Sequence, residues 1–481
     1  MLASAGGDFD NEFMKIVILG AGRVGASVAE SLVSERNDIT VVDTNPQRLG
    51  ALQDRLDLRG VIGNGIQPSV LREAGIEDAD MLIACAPGDE TNLVACKVAH
   101  DVFNVPTTIA RIRSPEFEQD SPLLNKDSGF AVDQLICPEQ SVTAYVRKLI
   151  EYPEALQALE FANGLVSMVA VRAVQGGPLV THALAEIPKL VPHAEMRIVA
   201  IYRQDAALNE LSGTTRIEPG DEVFVLAATE HIRAVLSGLR RMDRPVKRVM
   251  IAGGGKVALR LARQTHASYQ LKMIELNPAR CQYLATQLPN DVLVLQGDAT
   301  DEDLLGDENV QDMDLFAALT DDEEDNIMAC LLAKRMGARR VLALINRQAY
   351  ADLVQGTQID IAISPSQAVI GELLAYVRRG DVEAVHSLRR GAAEVLELIV
   401  RGDRKTCKVV GRRIQEIGLP HGAKIGAIVR SLDGSAEHRR VIVPHHDTVV
   451  EPQDHVIVFV PNKSMVRQVE KLFQVSATFL F

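Results

Sequence analysis

Residues 14–25 read MKIVILGAGRVG, and residues 247–258 read KRVMIAGGGKVA. Each stretch is a short β-branched run that meets a cluster of glycines and passes into a helical pattern, which predicts a strand, a tight turn and a helix. Three further blocks repeat outward from this pair. ITVVDTN (39–45) matches LKMIELN (271–277), and RGVIGNG (59–65) matches VLQGDA (294–299). DADMLIACAPGDETNLVACKVA (78–99) matches DMDLFAALTDDEEDNIMACLLA (312–333). All four blocks hold one offset to within two residues, so the chain is a tandem duplication. The repeat extends to LICPEQSVTAYV (135–146) against IAISPSQAVIGELL (361–374), and to IEPGDEVFVLA (217–227) against VEPQDHVIVFV (450–460).

The fold class that follows is α/β. Each half carries a Rossmann-like, doubly wound parallel sheet and then a smaller α+β lobe. The expected boundaries are 14–135, 136–151 and 152–245 in the first half, and 246–362, 363–380 and 381–481 in the second. In each triplet these are the nucleotide-binding lobe, a crossover helix and the small lobe. Residues 1–13 precede all periodicity and are expected to be a disordered extension. The amphipathic segments 140–149 and 367–378 should bury Val142, Val146, Val369 and Leu373 against a neighbouring lobe.

Composition narrows the function. The 481 residues carry a net charge of −13 and only 4% aromatics, with no Trp. There is no basic run longer than Arg-Arg and no platform for stacked bases, which argues against nucleic acid as a partner. The longest apolar runs fall far short of a membrane span. Six cysteines without a C-x-x-C pair suit a reducing, cytosolic compartment.

The glycine loops carry the chemistry. Gly20 permits the sharp turn, Gly22 lets backbone approach a pyrophosphate, and Gly25 lets the helix pack close to the sheet. Ala21, Arg23 and Val24 complete that loop at a helix N-terminus, which supplies amide donors and partial positive charge. Asp43 ends the next strand, where it can accept from a ribose diol and repel the extra phosphate of NADP. The second loop, Gly253, Gly254, Gly255, Lys256 and Val257, ends in Ala258 and pairs with Glu275. Lys256 does not make a P-loop, because the G-x-x-x-x-G-K-[ST] spacing is missing. Arg111 can reach phosphate from the fourth strand, whereas its second-half equivalent, Ile345 or Asn346, carries no charge. Two unlike adenine-nucleotide clefts are therefore expected.

Metal is not expected. The run Asp321-Asp322-Glu323-Glu324-Asp325 reads as the acidic start of a helix, and His445-His446-Asp447 with His455 lacks a full ligand set. No catalytic residue stands out. None of the seven tyrosines has Lys four residues on, and no H-E-x-x-H, G-x-S-x-G or kinase signature occurs. The strand-rich small lobes look like pairing modules. Two nucleotide clefts without catalytic groups suggest a sensor, with an NAD-dependent oxidoreductase of unrecognised site as the alternative.

GAGRVG, VVDTN, RGVIGNG, DETN, IARIRSPEF, LICPEQ, DEEDNIMACLLAKRMGA and ISPSQA together resemble the TrkA family, the double KTN/RCK regulatory subunits of Trk potassium uptake. The resemblance spans residues 14 to 481. It implies a cytoplasmic, nucleotide-sensing subunit that gates a membrane potassium channel or transporter of the TrkH/TrkG type. It also implies a homo-oligomeric ring, peripheral at the inner face of the membrane through that partner, binding NAD(H) and, as a further ligand class, ATP or ADP. Matched residue by residue, Gly20, Ala21, Gly22, Arg23 and Val24 would hold pyrophosphate and Asp43 the ribose. Ala86 and Pro87, at the end of the third strand, would line the cleft, and Arg111 would close it. Gly253, Gly254, Gly255, Lys256, Val257, Glu275, Thr320 and Asp321 take the corresponding places. Asn64 and Asp298 share the adenine side. Pro87 lacks the amide donor that Asp321 keeps, and Lys256 would favour a more phosphorylated ligand in the second half.

Overall fold

The computed structural model describes residues 14–475 except 36, 115, 118–120, 205, 209, 241–244, 355–358, 379–380, 389–391 and 432–437. The expected extension 1–13 lies outside the described residues, as does most of the charged turn before Pro245.

The first parallel sheet is built from β1 (Lys15–Leu19), β2 (Asp38–Asp43), β3 (Arg59–Ile62), β4 (Met81–Ala84), β5 (Thr107–Arg111) and β6 (Gln134–Ile136). Helices α1 (Arg23–Val33), α2 (Pro46–Gln53), α3 (Pro68–Glu73) and α4 (Asp89–Phe103) connect them, and α5 (Pro138–Glu151) leaves the last strand. The strand order β3-β2-β1-β4-β5-β6 reverses direction beside β1, which opens a crevice at the carboxyl ends of β1 and β4. Ile16–Leu19 of β1 and MLIA of β4 are aliphatic and buried throughout because helices cover both faces. Asn45 caps α2 by accepting from Gln47 and Arg48 amides, with Pro46 at the first helical position.

The first small lobe follows: β7 (Ala155–Phe161), β8 (Val166–Arg172), α6 (Ile187–Leu190), β9 (Met196–Arg203), β10 (Ala206–Ala207), β11 (Glu222–Ala228) and α7 (Ile232–Leu239). Its antiparallel sheet runs β10-β9-β11-β8-β7.

The second parallel sheet takes β12 (Arg248–Ala252), β13 (Gln270–Glu275), β14 (Leu293–Gln296), β15 (Leu315–Ala318), β16 (Val341–Leu344) and β17 (Ile361–Ile363). Its helices are α8 (Lys256–Thr265), α9 (Pro278–Gln287), α10 (Glu302–Asp307), α11 (Glu323–Arg335), α12 (Gln348–Val354) and α13 (Pro365–Val377). The order β14-β13-β12-β15-β16-β17 repeats the first sheet. The second small lobe holds β18 (Val382–Leu388), β19 (Ala393–Ile399), β20 (Lys424–Ser431), β21 (Arg439–Ile442), β22 (His455–Val460) and α14 (Val466–Phe473).

The sequence places Ala86 at the end of a third strand and Arg111 on a fourth. In the structure Ala86 follows the fourth strand in chain order and Arg111 ends the fifth, because the short RGVI run is itself a strand paired with β2.

The chain divides into two compact units. The described part of Met1–Glu139 groups with Ser366–Leu373, and Gln140–Pro365 groups with the rest of the chain. Each crossover helix therefore packs in the unit that holds the other half's parallel sheet. Their apolar faces are closed: Val142, Val146 and Val369 are 0% exposed and Leu373 is 1% exposed.

Within the second unit the two small lobes share a core. One face of the first lobe's sheet buries Val223 and Val225 with Val235, Leu236 and Leu239 of α7. The opposite face places Phe161, Met168, Phe224 and Leu226 with Val395, Val429, Ile457 and Phe459 of the second lobe. This is sheet-on-sheet packing, with alternate residues of each strand serving the two faces. Gly426 permits it, since a Cβ there would overlap the Leu226 side chain.

Candidate nucleotide clefts

In the first cleft the strand β1 delivers its backbone to Gly20, which sits at φ +104. A side chain there would be strained and would also press on the backbone of Cys85 and Ala86. At Gly25 a Cβ would overlap the Gly20 carbonyl oxygen, so only glycine lets α1 start this close to the loop. Gly22 is different: a Cβ there would meet nothing within 4 Å. That open space lies at the N-terminus of α1, where amides are unpaired by the helix.

Asp43 fixes this loop. Its Oδ2 accepts from the Ala21 amide at 2.6 Å, and its Oδ1 accepts from the Asn45 amide at 2.8 Å. Each oxygen keeps a lone pair for a further donor. The second half repeats the device. Glu275 accepts from Gly254 at 2.7 Å and from Asn277 at 2.8 Å. Gly253 has φ +95, and Gly255 has only the Leu319 oxygen near its would-be Cβ, at 3.8 Å. These loops fit a dinucleotide's pyrophosphate and ribose in both halves.

Ala86 and Pro87 follow β4, and Thr320 and Asp321 follow β15, as the sequence places them. Asn64 and Asp298 follow β3 and β14, and each accepts an amide two residues on, from Ile66 at 3.2 Å and from Thr300 at 2.8 Å. Arg23 and Lys256 are both exposed first residues of their helices. Lys256 therefore does not set the second cleft apart, since the first carries the same charge at the same place.

Sequence reasoning missed the residues that join the strand ends. Asn92, fully buried on α4, accepts from the Ala86 amide at 2.8 Å and donates to the Ala86 and Arg111 carbonyls at 3.0 and 2.7 Å. Asn326 does the same for Thr320 at 2.9 and 3.1 Å and for Leu344 at 2.9 Å. The signal was present as the shared Asn of DETN and EEDN. This clamp corrects the expected partner of Arg111: its equivalent is Leu344, not Ile345 or Asn346. The strand register agrees, because Ile112 and Ile345 both donate to β6 and β17 carbonyls, Ile136 and Ile363. A second missed residue is Arg280, which donates to the Gly254 carbonyl at 2.8 Å. It repeats Arg48 of the motif N-P-x-R.

Arg111 lies 3.5 Å from Glu139 and Arg113 lies 3.0 Å from it. Burial alone would raise the Glu139 pKa, but its own helix-start amide and both arginines outweigh that and hold the carboxyl below its usual range. The Arg111 Nε is buried and has no acceptor among the described residues. Beside the loop, burial pushes the Cys85 thiol up to about 12, only partly offset by Arg111, so it is no nucleophile at neutral pH.

The acidic run at 321–325 starts α11 as expected: Asp322 caps it by accepting from Asp325 at 3.0 Å, and Glu323 accepts from Asn346 and Arg347 at 2.8 Å. His455 pairs with Glu397 at 2.6 Å. Among the described residues no group of three or more His, Cys, Asp or Glu side chains gathers as a metal site, and no helix is long and apolar enough to cross a membrane.

Comparison with known proteins agrees with this geometry. The family described as TrkA-N domain matches residues 16–138 and 249–365, and TrkA-C domain matches 168–238 and 404–474. The Trk system potassium uptake protein TrkA of Vibrio alginolyticus is 51% identical over 467 residues, covering 97% of this chain and 100% of the relative. That of Halomonas elongata is 53% identical over 466 residues, with the same two coverages of 97% and 100%. Among solved structures, the GsuK channel bound to NAD aligns with a TM-score of 0.59 at 17% identity, covering 96% of this chain and 79% of that one. The GsuK RCK domain aligns with a TM-score of 0.57 at 16% identity, covering 96% of each chain. At these identities the structural likeness is one of fold.

Proposed function

The chain belongs to the TrkA family of Trk system potassium uptake proteins, and from that premise we propose that it is a nucleotide-sensing subunit that gates a membrane potassium channel or transporter. One observation carries the proposal. In both halves the acid that ends the second strand holds the second residue of the glycine loop, Asp43 to Ala21 and Glu275 to Gly254. That contact sets a ribose acceptor and a phosphate-binding helix start side by side.

In the first cleft Gly20, Ala21, Gly22, Arg23, Val24 and Gly25 receive the pyrophosphate of NAD(H), and Asp43 receives the adenosine ribose. Asn64, Ala86 and Pro87 line the adenine and middle parts, and Arg111 supplies the buried donor opposite the loop. In the second cleft Gly253, Gly254, Gly255, Lys256, Val257, Glu275, Asp298, Thr320 and Asp321 serve in the same order, with NAD(H) and, as a further class, ATP or ADP as the ligands of the two clefts together. The role is allosteric rather than catalytic. A bound nucleotide shifts the partner's equilibrium only by binding one shape of the subunit more tightly than another. The subunit acts as a homo-oligomeric ring on the cytoplasmic side, held at the membrane by its partner.

The test is ion flux through partner-containing vesicles, with the full chain and each nucleotide added in turn. Nucleotide-dependent flux that Asp43→Ala and Glu275→Ala blunt would support the reading. Flux indifferent to every nucleotide would refute it, and so would steady consumption of NADH with a carbonyl acceptor.

A further inference from the structure

The shared hydrogen bonds give a residue-by-residue register between the clefts, and the charge around them differs. Gly63 and Gly297 donate to the carbonyls of Asp43 and Glu275, which equates Asn64 with Asp298. Gly88 and Asp322 are the residues that cap α4 and α11. Asn92 and Asn326 equate Thr91 with Asp325, and Arg111 with Leu344. The first cleft thus has Asn64, Gly88, Thr91 and Arg111 where the second has Asp298, Asp322, Asp325 and Leu344.

The second-half carboxylates sense one another. Asp322 accepts from the Asp325 amide at 3.0 Å. Burial first, then Asp322, Asp298 and Glu324, hold the Asp325 pKa above its ordinary value. The cations nearby are largely committed. Arg347 lies 2.8 Å from both Glu323 and Glu324, and Arg280 is spent on the Gly254 carbonyl and stacked over Tyr283. Lys256 is matched by Arg23 and cancels from the comparison. The starts of α1 and α8 cancel as well.

We propose that the second cleft selects adenine nucleotides of low negative charge and rejects polyphosphates, while the first accepts the more anionic ligands. Asp298, Asp322 and Asp325, with Leu344 in place of an arginine, are its specificity-determining residues. The proposal rests on the reading that both clefts bind nucleotide. It follows from Coulomb's law: each added phosphate charge meets neutral side chains and an arginine shared with Glu139 in one cleft, and fixed carboxylates in the other. NAD⁺ is the natural probe of low charge, since its nicotinamide cation offsets one phosphate. ATP without Mg²⁺ is the probe of high charge.

The experiment uses the full chain with Gly22→Leu, which fills the open space at the first loop without meeting other atoms at the Cβ. Calorimetry then reports the second cleft. NAD⁺ is expected to bind at least about tenfold more tightly than ATP, and the ATP affinity should rise as KCl screens the repulsion. Adding Asp298→Asn, Asp322→Asn and Asp325→Thr, which keep the turn and the cap, should narrow the ratio by about tenfold. ATP binding as tightly as NAD⁺, or weakening with KCl, overturns the selectivity while leaving the cleft a nucleotide site. Both ligands binding with a ratio that the triple variant does not move does the same. Silence toward both nucleotides in a folded Gly22→Leu chain overturns the reading of the second cleft itself. The salt series needs only Gly22→Leu, so misfolding of the triple variant leaves a decisive measurement.

Discussion

The carboxylate of Asp43 lies 2.6 Å from the amide nitrogen of Ala21, so the acid that would hold the ribose also holds the glycine loop. Binding and loop geometry are therefore coupled at one side chain. Asp43→Ala leaves the Ala21 and Asn45 amides without their acceptor. The expected cost is about 1–3 kcal/mol of stability, together with at least about a tenfold loss of NAD⁺ affinity in the first cleft. Asp43→Asn keeps one acceptor oxygen and should fall between. Scanning calorimetry and titration of the same samples check both effects; a variant that loses affinity with an unchanged melting temperature would uncouple them.

The two loops differ at their third position, Gly25 in the first and Ala258 in the second. A Cβ on Gly25 would overlap the Gly20 carbonyl, a backbone atom that cannot move without opening the turn. Gly25→Ala should therefore push α1 from the loop and weaken first-cleft binding by about tenfold or more. Ala258→Gly should cost about 1 kcal/mol through helix propensity and about 1 kcal/mol more through its buried methyl, without weakening second-cleft binding. Titrating NAD⁺ into each variant separates them. Equal affinity losses would mean that the two helices start at the same distance from their loops.

What the sequence revealed was local. The β-branched runs, the glycine clusters and the acids at Asp43 and Glu275 are separated by a turn or a helix, and their spacing repeats. The doubly wound order then follows from alternating strand and helix. The Asn92 and Asn326 clamps were marked only by the Asn shared between DETN and EEDN; their partners were not legible, because each joins a helix to two strand ends and only the parallel pairing brings those together. The same non-local pairing moved the Arg111 equivalent to Leu344. Packing of α5 and α13 was visible as buried faces. Which unit received each helix was not, since an apolar stripe does not name the surface that covers it.

Asn92 offers a sharper test of that hidden part. Its amide serves Ala86 twice and Arg111 once in a site closed to water. Asn92→Ala should destabilise the first parallel-sheet lobe by on the order of 3 kcal/mol, the cost of orphaned buried groups. Asn92→Asp keeps the acceptor for Ala86 but sets a carboxylate against two carbonyls, so it should be worse at neutral pH and partly recover in acid. Unfolding in urea at two pH values decides the matter, and a neutral Asn92→Asp variant at pH 7 would show that the clamp carries little.

The small lobes meet where Gly426 faces Leu226. Gly426→Val should overpack this core and cost about 1–3 kcal/mol. Leu226→Ala alone should cost about 2–5 kcal/mol by leaving a cavity. Combined, the two should cost less than their sum, because the valine enters the space that leucine vacates. Strict additivity in a double-mutant cycle would place the two residues out of contact.

His386 makes the same interface sensitive to acid. Its ring meets Phe161 edge-on at 4.9 Å between centroids. Burial pulls its pKa below the ordinary 6.5, against the opposing influence of the Glu160 backbone and Glu397. The unfolded chain, with the higher pKa, takes the proton first as pH falls. The stability from a neutral His386 is thus full above 6.5 and is lost as pH drops from there toward the depressed folded value. Carboxylates also titrate in acid, so the wild-type curve alone does not isolate the histidine. The strand register equates His386 with Leu159 of the first half, which makes His386→Leu a substitution the fold already uses. Between about pH 7 and pH 5 the melting temperature of wild type should fall more steeply than that of His386→Leu. Parallel curves would mean that His386 keeps an ordinary pKa in the folded chain and that the lobe interface takes no part in the acid response.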